Sequence, residues 1–383
     1  MNAKRDQWAE WLLERRHGGD ERQFEELLPV LAEFQRRVVS GAEIRDGDVV
    51  LDVGTGDGLI AFAALGKVGA AGRVVFSDVS QDLLDECEAL ARRLDVLGRC
   101  DFVRASADSL PLPDRSVDVV TTRSVLIYLT DKAPAFSEFH RVLKAGGRLS
   151  IFEPINIFGY EQCRKLYYGL DVRPVQHLAD KITSWKGPKE HPLLNFDERD
   201  LFRFAEEAGF EEIQMDYRAE VKQEPWTRSW ETFLRSSGNP LDPTPAEEIH
   251  ANLNARERAE FLAYLKAQIQ ERPLVVGRSA GWRVQPTRAA PGSRKVLLPT
   301  SPCHAVPRRA SYDDHVRRTC VAAHAQNGAT DSADSSTNTP ESARRADLRT
   351  PRGTGGLAKL LTIDTEYATF VTICGAISSQ RGE

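Results

Sequence analysis

Three glycines and one acid have the types and spacing of a nucleoside-binding site. Gly54, Gly56 and Gly58 follow the apolar run Val49–Val53, and Asp78 ends the next apolar run. Because glycine has no Cβ, such a loop can turn sharply and approach a ligand closely. An acid after the second strand of a doubly wound sheet accepts hydrogen bonds from ribose hydroxyls and lies beside the glycine loop. Together these residues predict binding of a nucleoside.

The spacing of the glycines argues against two common phosphate-binding loops. A dinucleotide loop reads G-x-G-x-x-G, but Leu59 stands where its third glycine would be. The phosphate loop of nucleotide triphosphatases requires Lys and then Ser or Thr after its last glycine, and neither follows Gly58. A nucleoside without pyrophosphate therefore fits better than NAD or FAD. For the glycines alone, a plain connection between a strand and a helix remains an alternative.

Alternating apolar segments predict the elements that position these residues. Short loops between alternating strands and helices indicate an α/β fold, with a doubly wound, mostly parallel sheet and helices on both faces. Ligand would bind outside the carboxyl ends of strands one and four. The predicted strands lie near residues 49–53, 73–77, 101–104, 117–122, 147–153 and 211–217, and the predicted helices near 3–17, 21–40, 57–67, 80–95, 132–143 and 197–208.

Four motifs in this order resemble those of the class I S-adenosylmethionine-dependent methyltransferases, of the small-molecule kind found in quinone biosynthesis (methyltransferase types 11 and 25). LDVGTGDG at residues 51–58 resembles the first motif, and Asp78 the ribose-binding acid. ADSLPLPD at 107–114, followed by SVDVV at 116–120, resembles the adenine-flanking motif and the fourth strand. RVLKAGGR at 141–148 is similar to the turn into strand five. The resemblance covers roughly residues 30 to 220.

The resemblance implies a Rossmann-like methyltransferase fold, S-adenosyl-L-methionine as cofactor, and N-terminal helices packed over the cofactor edge. Ser106 departs from the pattern, since many relatives carry Asp there, so the adenine contact would fall to Ala107 and Asp108. The residues implied to bind the cofactor are Asp52, Gly54, Thr55, Gly56, Asp78, Val79, Ala107, Asp108 and Arg123.

The expected reaction is in-line displacement of the methyl group by an O, N or C nucleophile of a small molecule. Such a reaction mainly requires alignment and, where necessary, deprotonation of the nucleophile. Residues 121–128 read TTRSVLIY and lack the [DN]-P-P-[YF] motif of DNA adenine and some protein amine methyltransferases. The sequence does not identify a base; the candidates, each of which also fits a structural role, are Glu153, Tyr160, His177 and His191. Arg123 is a further catalytic candidate that could line the active site, and it also fits an ordinary surface position.

Composition limits the other functional classes. The net charge of −5 and pI of about 6.0 give no electrostatic reason to expect nucleic-acid binding. The six cysteines form no CxxC pair or zinc-type spacing, and there is no long apolar run or N-terminal leader. We therefore expect a cytoplasmic protein without metal or membrane span, and leave its oligomeric state open. A non-catalytic S-adenosylmethionine-binding or scaffold protein remains the alternative, and a nicotinamide oxidoreductase is disfavoured by the glycine spacing.

The predicted domains are an N-terminal helical cap (1–48), the methyltransferase domain (49–222), a helical appendage (223–283) and a C-terminal tail (284–383). Residues 154–196 lack a clear period, which is typical of a lid over the substrate pocket.

The tail differs in composition from the rest of the chain. It includes a polar low-complexity run at 331–340. The family's seventh strand, antiparallel to the sixth, is expected just after residues 278–281, where strand alternation stops. We expect the tail to be largely disordered or aberrant and to contribute neither to folding nor to cofactor binding. A frameshift near residue 280 and a genuine extension would both fit.

Overall fold

A seven-stranded sheet forms the centre of the protein, whose computed structural model describes residues 4–160, 166–182, 190–218, 220–271, 274–279 and 370–376. The strand order is β3-β2-β1-β4-β5-β11-β8, and every pair among the first five strands is parallel. The strands are β1 Val49–Val53, β2 Arg73–Asp78, β3 Cys100–Arg104, β4 Val117–Arg123, β5 Leu143–Pro154, β6 Leu166–Tyr167, β7 Leu170–Asp171, β8 Glu211–Arg218, β9 Glu220–Pro225, β10 Leu274–Ser279 and β11 Phe370–Ala376.

Helices cover both faces of this sheet, which confirms the predicted α/β fold. Val50, Phe76 and Val119 pack with the helices of one face, whereas their neighbours Leu51 and Val120 pack with those of the other. The apolar runs are continuous because both faces of the strands are buried. The helices are α1 Gln7–Glu10, α2 Glu21–Gly41, α3 Leu59–Leu65, α4 Gln81–Arg93, α5 Ala133–Val142, α6 Gln176–Ile182, α7 Glu198–Ala208, α8 Trp230–Arg235, α9 Pro245–Asn252 and α10 Ala255–Gln270, with a π-helical turn at Trp11–Arg15. Within the described ranges, no helix is both long and apolar enough to cross a bilayer.

The predicted lid and the predicted appendage share one hydrophobic core. Tyr167 and Leu178 of the lid pack in one cluster with Phe233, Ile249 and Phe261 of the appendage. The appendage region also contains strand β10, which pairs with β9 in a small antiparallel sheet, so it is not purely helical. The N-terminal segment contacts this region too, since Trp11 Nε1 donates a hydrogen bond to the Ser237 carbonyl (2.9 Å).

The expectation that the tail contributes nothing to the fold is wrong for β11. This strand lies between β5 and β8 and pairs antiparallel with both. The seventh strand was expected just after residues 278–281, which is outside the described ranges. Strand β10, which precedes that position, pairs with β9. The short run FVTICGA at 370–376 is rich in strand-forming residue types, but its place in the sheet depends on pairing with β5 and β8, which lie far away in the sequence. The predicted disorder and the possible frameshift concern residues outside the described ranges.

Candidate cofactor and acceptor site

A cavity of about 1000 Å³ opens at the carboxyl ends of β1, β2 and β4. At one end it is lined by the glycine loop and Asp78, which we call the cofactor end. At the other it is lined by the lid, by α9 and by the segment before α9, which we call the acceptor end. The N-terminal segment contributes Trp8, Trp11 and Leu12 to the same wall. The fold thus joins a nucleoside-type site and a second chamber in one continuous space.

Two glycines of the loop are required by its geometry. Gly54 has φ of 64°, and a Cβ there would lie 2.2 Å from Cγ2 of Val125. Gly58 has φ of 86°, and a Cβ there would lie 2.5 Å from the Phe62 ring. Because side chains are strained at positive φ and have no space here, the loop needs glycine at both positions.

Asp78 connects β2 to the glycine loop through its carboxylate. The Gly56 amide donates to Oδ2 (2.8 Å), and the Ser80 amide donates to Oδ1 (2.9 Å). Burial raises the pKa of Asp78, and these two backbone hydrogen bonds oppose the shift. Each carboxylate oxygen can accept a further hydrogen bond, so Asp78 can both hold the loop and receive the hydroxyls of a ribose.

Asp52 orients the base of the loop. Its carboxylate accepts hydrogen bonds from the hydroxyls of Thr55 (2.8 Å) and Thr121 (2.7 Å), and the side chain is buried. Burial raises the pKa of Asp52 to about 7, against the influence of both hydroxyls. Asp52 and Thr55 both line the cavity, and their mutual hydrogen bond fixes the loop between them.

The expected adenine-binding residues separate into two groups. Val79 is 40% exposed, lines the cavity and presents an apolar surface beside Asp78. Ala107 lines the cavity and is buried. Asp108 is exposed and does not line it, because the turn bridged by Ser106 and Ser109 points its side chain to solvent. The structure therefore brings Val79 and Ala107, but not Asp108, to the site.

Arg123 ends β4 at the cavity wall. Its guanidinium lies 5.8 Å from the centre of the Phe34 ring. Among the described residues, none accepts a hydrogen bond or forms an ion pair with it, which leaves its donors available to an anionic group in the cavity.

Glu153, one of the weak catalytic candidates, lies beneath the loop after β4. Its carboxylate accepts hydrogen bonds from the amides of Val125 (2.7 Å), Leu126 (3.0 Å) and Ile127 (3.4 Å). The side chain is fully buried and does not line the cavity. Burial raises the pKa of Glu153 to about 7, and the three amides oppose the shift. Its position fits a role in holding the loop rather than contact with substrate.

The other catalytic candidates also differ in position. His177 is exposed on α6 and is not part of the cavity lining, because Leu178, Ala179 and Ile182 are the residues of that helix that face the core. His191 lines the cavity, and its Nδ1 accepts a hydrogen bond from the Leu193 amide (3.3 Å). Tyr160 lines the cavity as well.

Several cavity residues were not singled out from the sequence as functional. Trp8 and Trp11 are both half-buried in the cavity wall, and Trp8 meets Tyr128 edge to face at 5.1 Å. Tyr167 and Glu248 line the acceptor end. The Trp spacing at the N-terminus was the one available signal, whereas Glu248 is locally an ordinary acid in the first turn of a helix.

Comparison with known proteins agrees with this geometry. Residues 51–151 match the family described as "Methyltransferase domain". The ubiquinone/menaquinone biosynthesis C-methyltransferase UbiE of Escherichia coli O1:K1 is 33% identical over 189 residues, covering 47% of this chain and 73% of that protein. The chain therefore belongs to the class I S-adenosylmethionine-dependent methyltransferases. It is an enzyme of that class, and its cofactor is S-adenosylmethionine.

Solved structures with lower similarity include a SAM-dependent methyltransferase from Aquifex aeolicus, at 22% identity and TM-score 0.34 over 49% of this chain and 82% of that one. They also include the YcgJ protein from Bacillus subtilis, at 17% identity and TM-score 0.38 over 64% of this chain and 92% of that one.

Proposed function

We propose that the enzyme transfers a methyl group from S-adenosylmethionine to an O, N or C nucleophile of a small molecule by in-line displacement. The observation that carries the proposal is a cavity whose lining runs from the glycine loop to the acceptor end. A protein that only bound the cofactor would not require the second chamber. The UbiE relative is named as a C-methyltransferase of ubiquinone and menaquinone biosynthesis, which supports a carbon nucleophile.

The described residues fit the cofactor. We infer that the backbone at Gly54 and Gly56 admits its amino acid part, that Asp78 holds the ribose hydroxyls, and that Val79 and Ala107 flank the adenine. Arg123, which forms no ion pair or side-chain hydrogen bond with a described residue, suits the cofactor's carboxylate. When bound, S-adenosylmethionine supplies a methyl group on a positively charged sulfur, whose departure leaves the sulfur neutral.

The remaining cavity residues would orient the acceptor and exclude water. Trp8 and Trp11 bring aromatic surface from the N-terminal segment, and the hydrogen bond from Ser80 Oγ to Asp6 (2.7 Å) holds that segment against the loop after β2. Alignment and desolvation are the main protein contributions to a displacement of this kind. We propose that the acceptor is a free small molecule rather than a nucleic acid, and that the enzyme works in the cytoplasm.

Two measurements test the proposal. Isothermal titration should show binding of S-adenosylmethionine and none of NADH. Release of S-adenosylhomocysteine should then be followed over a panel of phenolic, amine and activated-carbon acceptors. Cofactor binding without turnover on any class of acceptor would favour the non-catalytic alternative.

A further inference from the structure

Glu248 is a carboxylate at the acceptor end of the cavity, held on a well-defined helix. It lies in the first turn of α9, where Thr244 and Glu247 form a reciprocal capping box. The next residue, Ile249, is buried in the core shared by the lid and the appendage. These contacts fix the helix, and they leave the half-buried Glu248 side chain in the cavity wall.

The two carboxylate oxygens of Glu248 differ in their contacts with the described residues. The hydroxyl of Tyr167 donates a hydrogen bond to Oε2 (3.1 Å). No described residue donates a hydrogen bond to Oε1. Tyr167 thereby orients the carboxylate, while Oε1 can accept a hydrogen bond or a proton from a molecule in the cavity.

The charges around Glu248 favour a proton acceptor that works near neutral pH. Burial raises the pKa of Glu248 to about 7, the Tyr167 hydrogen bond lowers it, and the like charge of Asp242 raises it. From α6, which packs against α9, Asp180 lines the same cavity. On α8, the charged side chains Glu231 and Arg235 are exposed. A base with its pKa near the working pH is the most effective one.

Three buried carboxylates near the cofactor end already accept hydrogen bonds from the protein. Asp52 accepts hydrogen bonds from two hydroxyls, and Asp78 accepts hydrogen bonds from two backbone amides. Glu153 accepts hydrogen bonds from three backbone amides and lies outside the cavity lining. The wall near Glu248 includes Tyr167, Tyr168 and Val172, which suits a planar, largely apolar molecule.

We propose that Glu248 is the base that removes the proton from a weakly acidic hydroxyl of the acceptor, with Tyr167 as its positioning residue. This inference rests on the proposed methyl transfer. The hydroxyl proton passes to Oε1 of Glu248, and the electron pair stays on the acceptor. That pair forms the bond to the methyl group, either from the oxygen or from a ring carbon made nucleophilic by it. In the second case the ring carbon then gives its own proton to water, and the oxygen regains a proton from Glu248. The bond broken is that between the methyl group and sulfur, and its electron pair remains on sulfur.

The first test measures binding rather than turnover. 4-Methylphenol stays neutral between about pH 5.5 and 8.5 because phenols titrate near pH 10. It should be titrated calorimetrically into the full chain saturated with S-adenosylhomocysteine. Its affinity should rise by about tenfold as Glu248 ionises, with a midpoint near pH 7.

Three variants distinguish Glu248 from its surroundings. Glu248→Gln should bind with a flat pH dependence. Tyr167→Phe should move the midpoint to higher pH, because it removes the hydrogen bond that lowers the pKa of Glu248. The matched control Glu260→Gln, an exposed glutamate on α10, should behave as wild type. A wild-type affinity independent of pH, or no binding of 4-methylphenol at all, overturns the proposal. So does tighter binding of 4-methylbenzylamine, which would favour an amine acceptor.

The second test measures S-adenosylhomocysteine release with the same phenol. Glu248→Gln should lower kcat by roughly 10²-fold to 10⁴-fold and remove the acidic limb of the pH profile. Its affinity for S-adenosylmethionine should equal that of wild type. If wild type is active and Glu248→Gln matches it in kcat and pH profile, this inference fails while the proposed function stands. If wild type binds no S-adenosylmethionine, the proposed function itself fails.

Discussion

Replacement of Asp78 by Asn separates the two roles of this carboxylate. The side chain keeps its shape, but one oxygen becomes an amide nitrogen that cannot accept a hydrogen bond. In the folded protein, the amides of Gly56 and Ser80 each donate to a different oxygen. One of these amides must therefore face a donor, and the charge that would receive the ribose hydroxyls is lost.

The expected loss of affinity follows from these contacts. Hydrogen bonds to a charged group contribute about 1.5 to 3 kcal/mol, which corresponds to roughly 10-fold to 150-fold weaker binding of S-adenosylmethionine. Stability should fall by about 1 to 3 kcal/mol because one buried amide loses its acceptor. Asp78→Ala should lose at least as much affinity and more stability, since both amides then lose their partner.

Isothermal titration with S-adenosylmethionine measures the affinity, and urea unfolding measures the stability. Asp85→Asn is a suitable control, since Asp85 is exposed on α4 and, among the described residues, accepts a hydrogen bond only from Gln81 on its own helix. It should change neither quantity appreciably. A folded Asp78→Asn protein with wild-type affinity would refute the assignment of Asp78 to the ribose.

Further predictions concern the loop, the sheet and the lid. Gly56→Val should abolish measurable cofactor binding, because φ at this position is 56° and a Cβ would already lie 3.2 Å from the Leu12 side chain. If this variant binds S-adenosylmethionine with wild-type affinity in isothermal titration, the loop is only structural. The raised pKa of Glu153 means that the folded state keeps a proton the unfolded state has lost, so the unfolding free energy should fall as pH rises from about 4.5 through 7. The unfolding free energy of Glu153→Gln, measured in urea at pH 5 and pH 8, should depend less on pH than that of wild type. An equal pH dependence in the two proteins would contradict this prediction. Hydrogen exchange in residues 154–196 should slow when cofactor and acceptor bind, and protection limited to the glycine loop and β2 would argue against a lid. A chain ending at residue 283 lacks β11 and should fail to unfold cooperatively in urea, whereas wild-type stability would show that β11 is dispensable.

The sequence was informative wherever function depends on local backbone geometry. The glycine loop and Asp78 lie in consecutive strand and loop segments, and a parallel sheet necessarily brings their carboxyl ends together. It was less informative about the direction of single side chains. Glu153 points beneath the loop after β4, and Asp108 points to solvent, although both lie in segments that border the site.

Residues brought together from distant segments could not be predicted. Glu248 reaches the cavity only because α9 packs against the lid, and Tyr167 meets it from a strand of two residues. Neither contact has a signature in local periodicity. β11 was missed for the same reason, since its pairing partners lie far away in the sequence.

The position of β11 has a consequence for synthesis of the chain. β5 and β8 leave the ribosome well before β11, which begins at Phe370 and fills the gap between them. Until then, two strands hold unpaired backbone groups along facing edges, and such edges readily pair with other chains. We therefore expect nascent or truncated forms to depend on chaperones and to aggregate, and we expect the final folding step to be slow because it closes a very long loop.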